Sequence, residues 1–451
     1  MKKLLLVLFF GSFFIFYLLI GLNRFNSLQV FYYDFGIFYR VIWQVSRFIT
    51  PSIDHIFLGK ILIFGDHFEP SIFILSPLFW ITDNIRLLIF EQAIVTVISG
   101  FLIYKLSRLL KLKFHFAITI SFVFLIFTGT MSPLVTDWHP EPTALLFLLL
   151  FILMILQNKL RIAFLSAIIF LGFKESNPVT LFPVLMFIFL KFQEKRQFVL
   201  ILMAICVIWF LTTTQIIIPF FANGQYLYKP SISSISSEKI KLMTDSYLSF
   251  GFLPIFSVFG ILTTITEFII RLVSPRAANF TLNMHYNVYL SAYLAIGSAL
   301  TLARIKSNFL KNFLLIFLIA ISIFSARKVT GSPINLAVNP IFWKNITFSN
   351  SFEPIAKLIP KDKSVMAQNN LLVYFANRKS EVFLLSENYQ QKNPDIIIFD
   401  LNENQNINNF WGPDGDASLD HIIEIETSVK SDANYELILV FGKIKIYLRR
   451  P

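Results

Sequence analysis

Residues 4–22 read LLLVLFFGSFFIFYLLIGL, a run without a single charge, behind Met1-Lys2-Lys3. A bilayer's hydrocarbon core takes about 20 helical residues to cross, so this run is long enough to span. Asn23-Arg24-Phe25-Asn26 follows it, not a small-x-small cleavage site. The run is therefore expected to remain as a first transmembrane helix, N-terminus in the cytoplasm, and not to be removed as a signal peptide. Outward from it the pattern recurs, at 86–105, 114–133, 142–158, 161–174, 177–192, 197–219, 252–273, 285–303 and 310–326. These segments explain why 55% of the 451 residues are hydrophobic and only 15% charged, where a soluble domain carries about 25% charge. The expected fold is a polytopic α-helical membrane protein of about nine to eleven transmembrane helices. The lone Cys206 lies in an apolar run and excludes a disulfide framework or a thiolate metal site.

The net charge of +12 is a topology signal. From Arg327 onward 14 basic residues balance 14 acidic ones, so the whole excess lies in the first 326 residues, with 25 basic against 13 acidic. Lys105, Arg108, Lys111 and Lys113, then Lys159 and Arg161, then Lys191, Lys195 and Arg196 occupy alternate gaps. The positive-inside bias assigns these gaps to the cytoplasm and places the long loop 23–85 outside. No dense basic run with interleaved aromatics exists, so nucleic acid is not an expected partner. The segment 252–273 leaves two readings open. As one span it puts Arg304, Lys306 and Lys311 outside; as a hairpin or re-entrant pair it restores the alternation.

The composition changes at Arg327. The expected domains are a transmembrane part, 1–326, and an extracytoplasmic soluble α/β domain, 327–451. Strands are expected at 364–368, 381–385 and 395–399, a short helix at 370–378, and a terminal hairpin at 436–448 turning at Phe441-Gly442-Lys443.

Acidic residues and histidines are few in the membrane part, and many fall in the expected outer loops. They stand in Tyr33-Asp34-Phe35-Gly36, Gly65-Asp66-His67-Phe68-Glu69-Pro70, Asp137-Trp138-His139-Pro140-Glu141-Pro142, Lys174-Glu175-Ser176-Asn177-Pro178 and His285-Tyr286. Ionisable groups near a bilayer are costly and are functional candidates for that reason. Carboxylates suit a general base or a hard cation. Plain structural roles stand beside these: Asp34 as a helix N-cap, Lys174–Glu175 as a capping ion pair, Pro70 and Pro142 as helix starters, Tyr286 as an interfacial aromatic.

These same motifs, in order and continuing into Ser364-Val365-Met366-Ala367-Gln368-Asn369-Asn370-Leu371, resemble the prokaryotic membrane-protein family called domain of unknown function 2079. That family is in turn similar to the GT-C superfamily of lipid-linked-sugar glycosyltransferases. The resemblance implies Asp34, just past the first helix, as the catalytic base. It implies a substrate site drawn from Arg40, Asp66, His67, Glu69, Asp137, His139, Glu141, Lys174, Glu175, His285 and Tyr286. It implies an anionic lipid head held by Arg40, Lys174 or Arg276, and an interfacial segment at 70–82. A divalent cation, Mg or Mn, would be held by Asp66, His67, Asp137 and His139, since Asp34 lacks a paired carboxylate. The implied partners are the bilayer, a polyprenyl-phosphate-linked sugar, and an envelope glycan, lipid or protein acceptor. The implied location is a bacterial or archaeal cytoplasmic membrane. An ion-coupled transporter, with carboxylates at broken helices, and a non-enzymatic envelope protein are the competing expectations.

Overall fold

The computed structural model describes residues 1–228, 232–344, 349–416 and 418–451. They form two compact units, each discontinuous in the chain. The first comprises Met1–Gly21, His67–Ile72 and Ile89–Pro340; the second comprises Leu22–Asp66, Phe73–Leu88 and Ile341–Pro451. This division differs from a cut at 326. Most of the long loop 23–85 packs with the C-terminal residues, and the C-terminal part begins at Ile341.

Every apolar segment read from the sequence carries a helix. Four are long and apolar enough to cross a membrane: Lys2–Asn26, Arg86–Leu109, Gln193–Phe221 and Asn308–Lys328. Phe114–Ile126 and Thr128–Leu134, bent by 58°, count as a fifth if they form one broken span. Glu141–Leu156, Leu160–Leu171, Asn177–Lys191, Val258–Val273 and Val288–Arg304 are helices of 12 to 17 residues. The full-length spans among the described residues are thus fewer than nine, and the shorter apolar helices make up the remainder. The segment 252–273 is one helix entered through a tight turn, Leu253–Phe256, and not a hairpin. Ser257 caps it, its hydroxyl accepting from the Gly260 N–H at 3.0 Å. The preceding helix, Ser237–Ser249, has little net hydrophobicity and was not legible as a run. Pro70–Trp80 winds as a narrow three-residue-per-turn helix, with Pro77 inside it.

Two glycines set close approaches in the first unit. A Cβ on Gly172 would overlap the Ser71 hydroxyl, and the Ser71 N–H donates to the Gly172 carbonyl at 2.8 Å. This contact ties the His67–Pro70 stretch to the break at Lys174. A Cβ on Gly129 would lie 2.8 Å from Cβ of Asn287. Inside the helices, Arg271 bonds Glu267 at 2.6 Å and reaches the Tyr286 carbonyl and the Asn287 Oδ1. A buried ion pair thereby anchors the turn that carries His285.

The second unit is built on a small mixed sheet. Its strands in chain order are β1 Ser52–His55, β2 Gly59–Leu62, β3 Val365–Ala367, β4 Val382–Leu384, β5 Ile396–Asp400, β6 Trp411–Gly412, β7 Gly415–Asp416, β8 Tyr435–Phe441 and β9 Ile444–Arg449. The five-stranded sheet runs β4-β3-β5-β9-β8, with β3 parallel to both neighbours and β9 antiparallel to both of its own. β1 and β2 form a separate hairpin, as do β6 and β7. Met366, Phe383, Ile397, Phe399 and Tyr447 pack with Ile422, Ile425 and Val429 of the Leu419–Ser431 helix to make the core.

Arg40, on the Ile37–Ser46 helix, is 4% exposed and ties this unit together. Its guanidinium donates to the carbonyls of Ser52, Ala376, Arg378 and Ser380 at 3.0 to 3.4 Å. Hydrogen bonds from a charged donor are worth about 1.5–3 kcal/mol each. Arg40→Leu is expected to lower the thermal midpoint of the second unit by several degrees, read by scanning calorimetry of the detergent-solubilised protein. A donor-affinity loss with the midpoint unchanged would instead show that Arg40 serves the lipid head.

Candidate functional site

In the first unit, five sequence-read residues from three separate segments meet in one buried cluster. His67 and Glu69 come from the segment 67–72, Glu141 opens the Glu141–Leu156 helix, and Lys174 and Glu175 fill the break between Leu160–Leu171 and Asn177–Lys191. Lys174 Nζ lies 2.9 Å from Glu141 Oε1, and His67 Nδ1 lies 2.9 Å from Glu175 Oε1. A negative charge at Glu141 also suits its place in the first turn of a helix. His285 Nε2 lies 3.9 Å from the same Glu141 oxygen, and its ring stacks on His139 with centroids 3.5 Å apart. Tyr228 stacks on His67 at 4.1 Å, Arg276 stands 5.1 Å from the Tyr228 ring, and Lys174 stands 5.8 Å from the Tyr286 ring. The arrangement presents carboxylates, imidazoles and aromatic faces together.

Glu69 is the least provided for of these groups. It is 1% exposed, and neither carboxylate oxygen meets a hydrogen-bond partner among the described residues. Burial pushes its pKa up to about 8, against the pull of His67 and Lys174 and with the repulsion of Glu141 and Glu175. Glu175 goes the other way. Burial disfavours its charge, but His67, by charge and hydrogen bond, and Lys174 hold its pKa below the usual value. Burial also disfavours the Lys174 charge, yet Glu141 and Glu69 hold its proton more tightly than usual. Burial and His139 lower the His285 pKa. Of the other carboxylates, Glu141 pairs with the Lys174 ammonium and Glu175 hydrogen-bonds the His67 ring.

The turn at Asp137 explains how His139 arrives. Asp137 has φ +71, a left-handed conformation that Asp tolerates better than most residues. Behind it Trp138 is 2% exposed, its Nε1–H donating to Glu91 at 2.7 Å, and the His139 N–H donates to Gln92 Oε1 at 3.1 Å.

Three expected site residues, Asp34, Arg40 and Asp66, belong to the second unit. Asp34 sits in the kinked turn Tyr32–Gly36 with φ +90 and ψ −87. It does not cap the following helix: Gly36 holds that place, with no side-chain cap. Asp66 Oδ1 faces His55 Nε2 at 3.6 Å. Of the three basic groups expected to meet an anionic head, Arg40 bonds carbonyls and Lys174 pairs with Glu141. Arg276 stays exposed beside Tyr228.

The expected cation ligands do not fit a divalent metal. Among the described residues no three His, Cys, Asp or Glu side chains are placed to share one. His67 is engaged by Glu175, His139 is stacked on His285, and the Lys174 ammonium already supplies the positive charge beside Glu141.

Glu91, Gln92, Glu267, Arg271, Tyr226 and Tyr228 support this cluster or line it, and sequence reasoning did not select them. Glu91, Glu267 and Arg271 carried a usable signal, because each is an ionisable residue inside an apolar helix. The two tyrosines carried none.

The fold is similar to that of ArnT from Cupriavidus metallidurans, solved in the apo state. The match has a TM-score of 0.54 at 10% identity and covers 97% of each chain. The arabinofuranosyltransferase AftD from Mycobacteria matches with a TM-score of 0.44 at 10% identity, over 84% of this chain and 34% of AftD, which is too distant to weigh. The class is therefore a helical membrane protein whose fold resembles that of ArnT, with a C-terminal sheet domain. The chain itself belongs to the family described as predicted membrane protein, domain of unknown function 2079, which matches residues 24–434. No curated protein matches it in sequence.

The Glu69 shift fixes a pH dependence. The unfolded chain ionises this carboxyl above about pH 4.5, while the folded protein keeps it protonated to about pH 8. The folded state binds the extra proton through that window, so its stability falls as pH rises. Glu69→Gln removes the slope. The thermal midpoint of the variant, relative to the unsubstituted protein, is expected to climb between pH 5 and pH 8; a constant offset would contradict the assignment.

Proposed function

We propose that this chain is a membrane-embedded glycosyltransferase, moving a sugar from a polyprenyl-phosphate donor to an acceptor on the outer face of a prokaryotic cytoplasmic membrane. A fold alone does not carry an activity. The observation that carries this reading is the buried cluster of His67, Glu69, Glu141, Lys174 and Glu175, placed at helix ends and flanked by tyrosines. Carboxylates and imidazoles hydrogen-bond hydroxyl groups in several directions, and aromatic faces cover the apolar face of a sugar ring. The ammonium of Lys174 is already paired with Glu141, which suits a neutral sugar better than a second anion. Arg276, exposed at its margin, is the basic group available to the donor phosphate.

In this reading Asp34 takes the proton of the acceptor hydroxyl. The acceptor oxygen forms its bond to the anomeric carbon as the bond from that carbon to the phosphate oxygen breaks, inverting the centre. The polyprenyl phosphate departs carrying the electron pair as a stable anion, so no protein acid is needed, unlike a glycoside hydrolase with its two carboxyls. Arg276 steadies the charge that grows on the phosphate, and the cluster orients the sugar. The acceptor is a glycan, lipid or protein of the envelope. No step runs through a metal.

A carboxylate at a helix break, Glu175, is also what an ion-coupled carrier would use, but here His67 already engages it. The cluster lies where helices begin and end. The ionisable pair within a helix, Glu267–Arg271, is engaged with itself and with the Tyr286–Asn287 turn.

Membranes containing the protein, supplied with polyprenyl-phosphate mannose, glucose or arabinose, test the reading. Transfer is expected from one such donor. Asp34→Asn should lower kcat by about 10²-fold or more, and Arg276→Ala should raise the donor KM about tenfold with a smaller effect on kcat. EDTA should leave the rate unchanged. Full activity of Asp34→Asn, or no transfer from any lipid donor alongside ion-driven solute uptake, would contradict it.

A further inference from the structure

The proposed chemistry does not use the motif Gln368-Asn369-Asn370, which stands at the carboxyl end of β3. The chain leaves β3 and turns at once into a four-residue helix, Asn369–Leu372. All three polar side chains are buried, at 1% to 4% exposure. A buried amide is costly unless hydrogen-bonded, so each is placed for a reason. Gln368 Oε1 accepts the Asp400 N–H at the end of β5. The Asn370 backbone N–H donates to Asn409 Oδ1 at 2.8 Å, while the Asn370 side-chain Oδ1 is buried without a hydrogen-bond partner among the described residues. Both bonds close the sheet's own end, and neither leaves it.

Asn369 does something different. Its Nδ2 donates to the Asn408 carbonyl at 3.0 Å, which fixes the amide's orientation. Its Oδ1 then accepts the backbone N–H of Tyr33 at 2.8 Å, a residue 336 positions earlier. Tyr33 also meets Trp411 of β6, ring centroids 4.2 Å apart and edge to face. The next residue is Asp34, whose φ of +90 and ψ of −87 lie where few residues other than glycine rest. Such a conformation persists only where its surroundings hold it. Here the residue before Asp34 is held through its N–H by the Asn369 amide and through its ring by the Trp411 indole, both from the C-terminal domain.

We propose that Asn369 is the positioning residue for Asp34, and that the Gln368-Asn369-Asn370 corner serves to fix the Asp34 backbone. The inference rests on the reading of Asp34 as the base. It gives the C-terminal domain a catalytic duty exercised through another residue. Loss of the Oδ1 acceptor lets the Tyr32–Gly36 turn relax, and the carboxylate leaves the geometry that proton transfer needs. A displacement near 1 Å costs about 10²-fold in rate.

The experiment combines kinetics with hydrogen exchange on the full-length protein. Asn369→Ala is expected to lower kcat at least about 30-fold while the KM for the polyprenyl-phosphate sugar stays within about threefold. Asn369→Asp keeps an Oδ acceptor and loses only the bond to Asn408, so it should recover most of that loss. In the unsubstituted protein the Tyr33 amide should be protected from exchange, and in Asn369→Ala it should exchange freely while β3 and β5 stay protected. An inactive Asp34→Asn beside a fully active Asn369→Ala overturns the positioning role and leaves the base assignment standing. A fully active Asp34→Asn overturns both. Unprotected exchange at Tyr33 in the unsubstituted protein overturns the positioning role whether or not either variant folds.

Discussion

The ion pair between Glu141 and Lys174 is the contact on which the first unit's polar cluster depends. Glu141, Glu175 and Glu69 are each at most 3% exposed, and their mutual repulsion would be severe without a cation among them. Lys174 supplies it at 2.9 Å from Glu141, and burial strengthens the attraction as much as it penalises either charge alone. Glu175 is then left to His67, and Glu69 avoids the repulsion by keeping its proton. Breaking the pair would leave a buried carboxylate uncompensated. The position of the pair also fixes backbone: Glu141 opens one helix, and Lys174 stands in the break between two others.

Much of this was legible in the sequence, and the legible parts share a physical cause. Long apolar runs have one stable state in lipid, so the ten helical segments could be placed from hydropathy alone. Period-two and fully apolar runs such as Asp395–Phe399 likewise marked the strands, observed at Ile396–Asp400. Carboxylates and histidines beside apolar helices are costly enough to announce themselves, which is why His67, Glu69, Glu141, Lys174 and Glu175 could be named before they could be seen together. Their pairing was not legible, since it depends on residues 33 and 108 positions apart in the chain. The Ser237–Ser249 helix was missed because its composition is nearly neutral in hydropathy. The joining of residues 22–66 and 73–88 to the C-terminal unit was missed because it rests on polar contacts such as those of Arg40, whose charge suggested a ligand when its partners are carbonyls.

Each unit contributes a different chemistry. The first holds an aromatic-flanked polar cluster whose Lys174 and His67 are engaged by carboxylates, with Arg276 exposed at its side. The second holds Asp34 in a backbone conformation that its neighbours must enforce. A strained residue held by a sheet domain and a buried polar cluster held by membrane helices are both costly features for a passive envelope protein to keep. Each is a place where local preference is overridden by the surrounding structure. The likeness to ArnT over 97% of both chains concerns the scaffold, and the activity rests on the residues.

The central claim is that the cluster around Lys174 receives the sugar of a lipid-linked donor. The most direct measurement is photolabelling of the protein in membranes with a polyprenyl-phosphate sugar carrying a diazirine on the sugar, followed by peptide mapping. Adducts are expected on peptides containing 65–70, 137–142, 174–178 and 276–286, competed away by unlabelled donor. Adducts confined to the Glu267–Arg271 stretch, or labelling that excess donor does not displace, would contradict the claim.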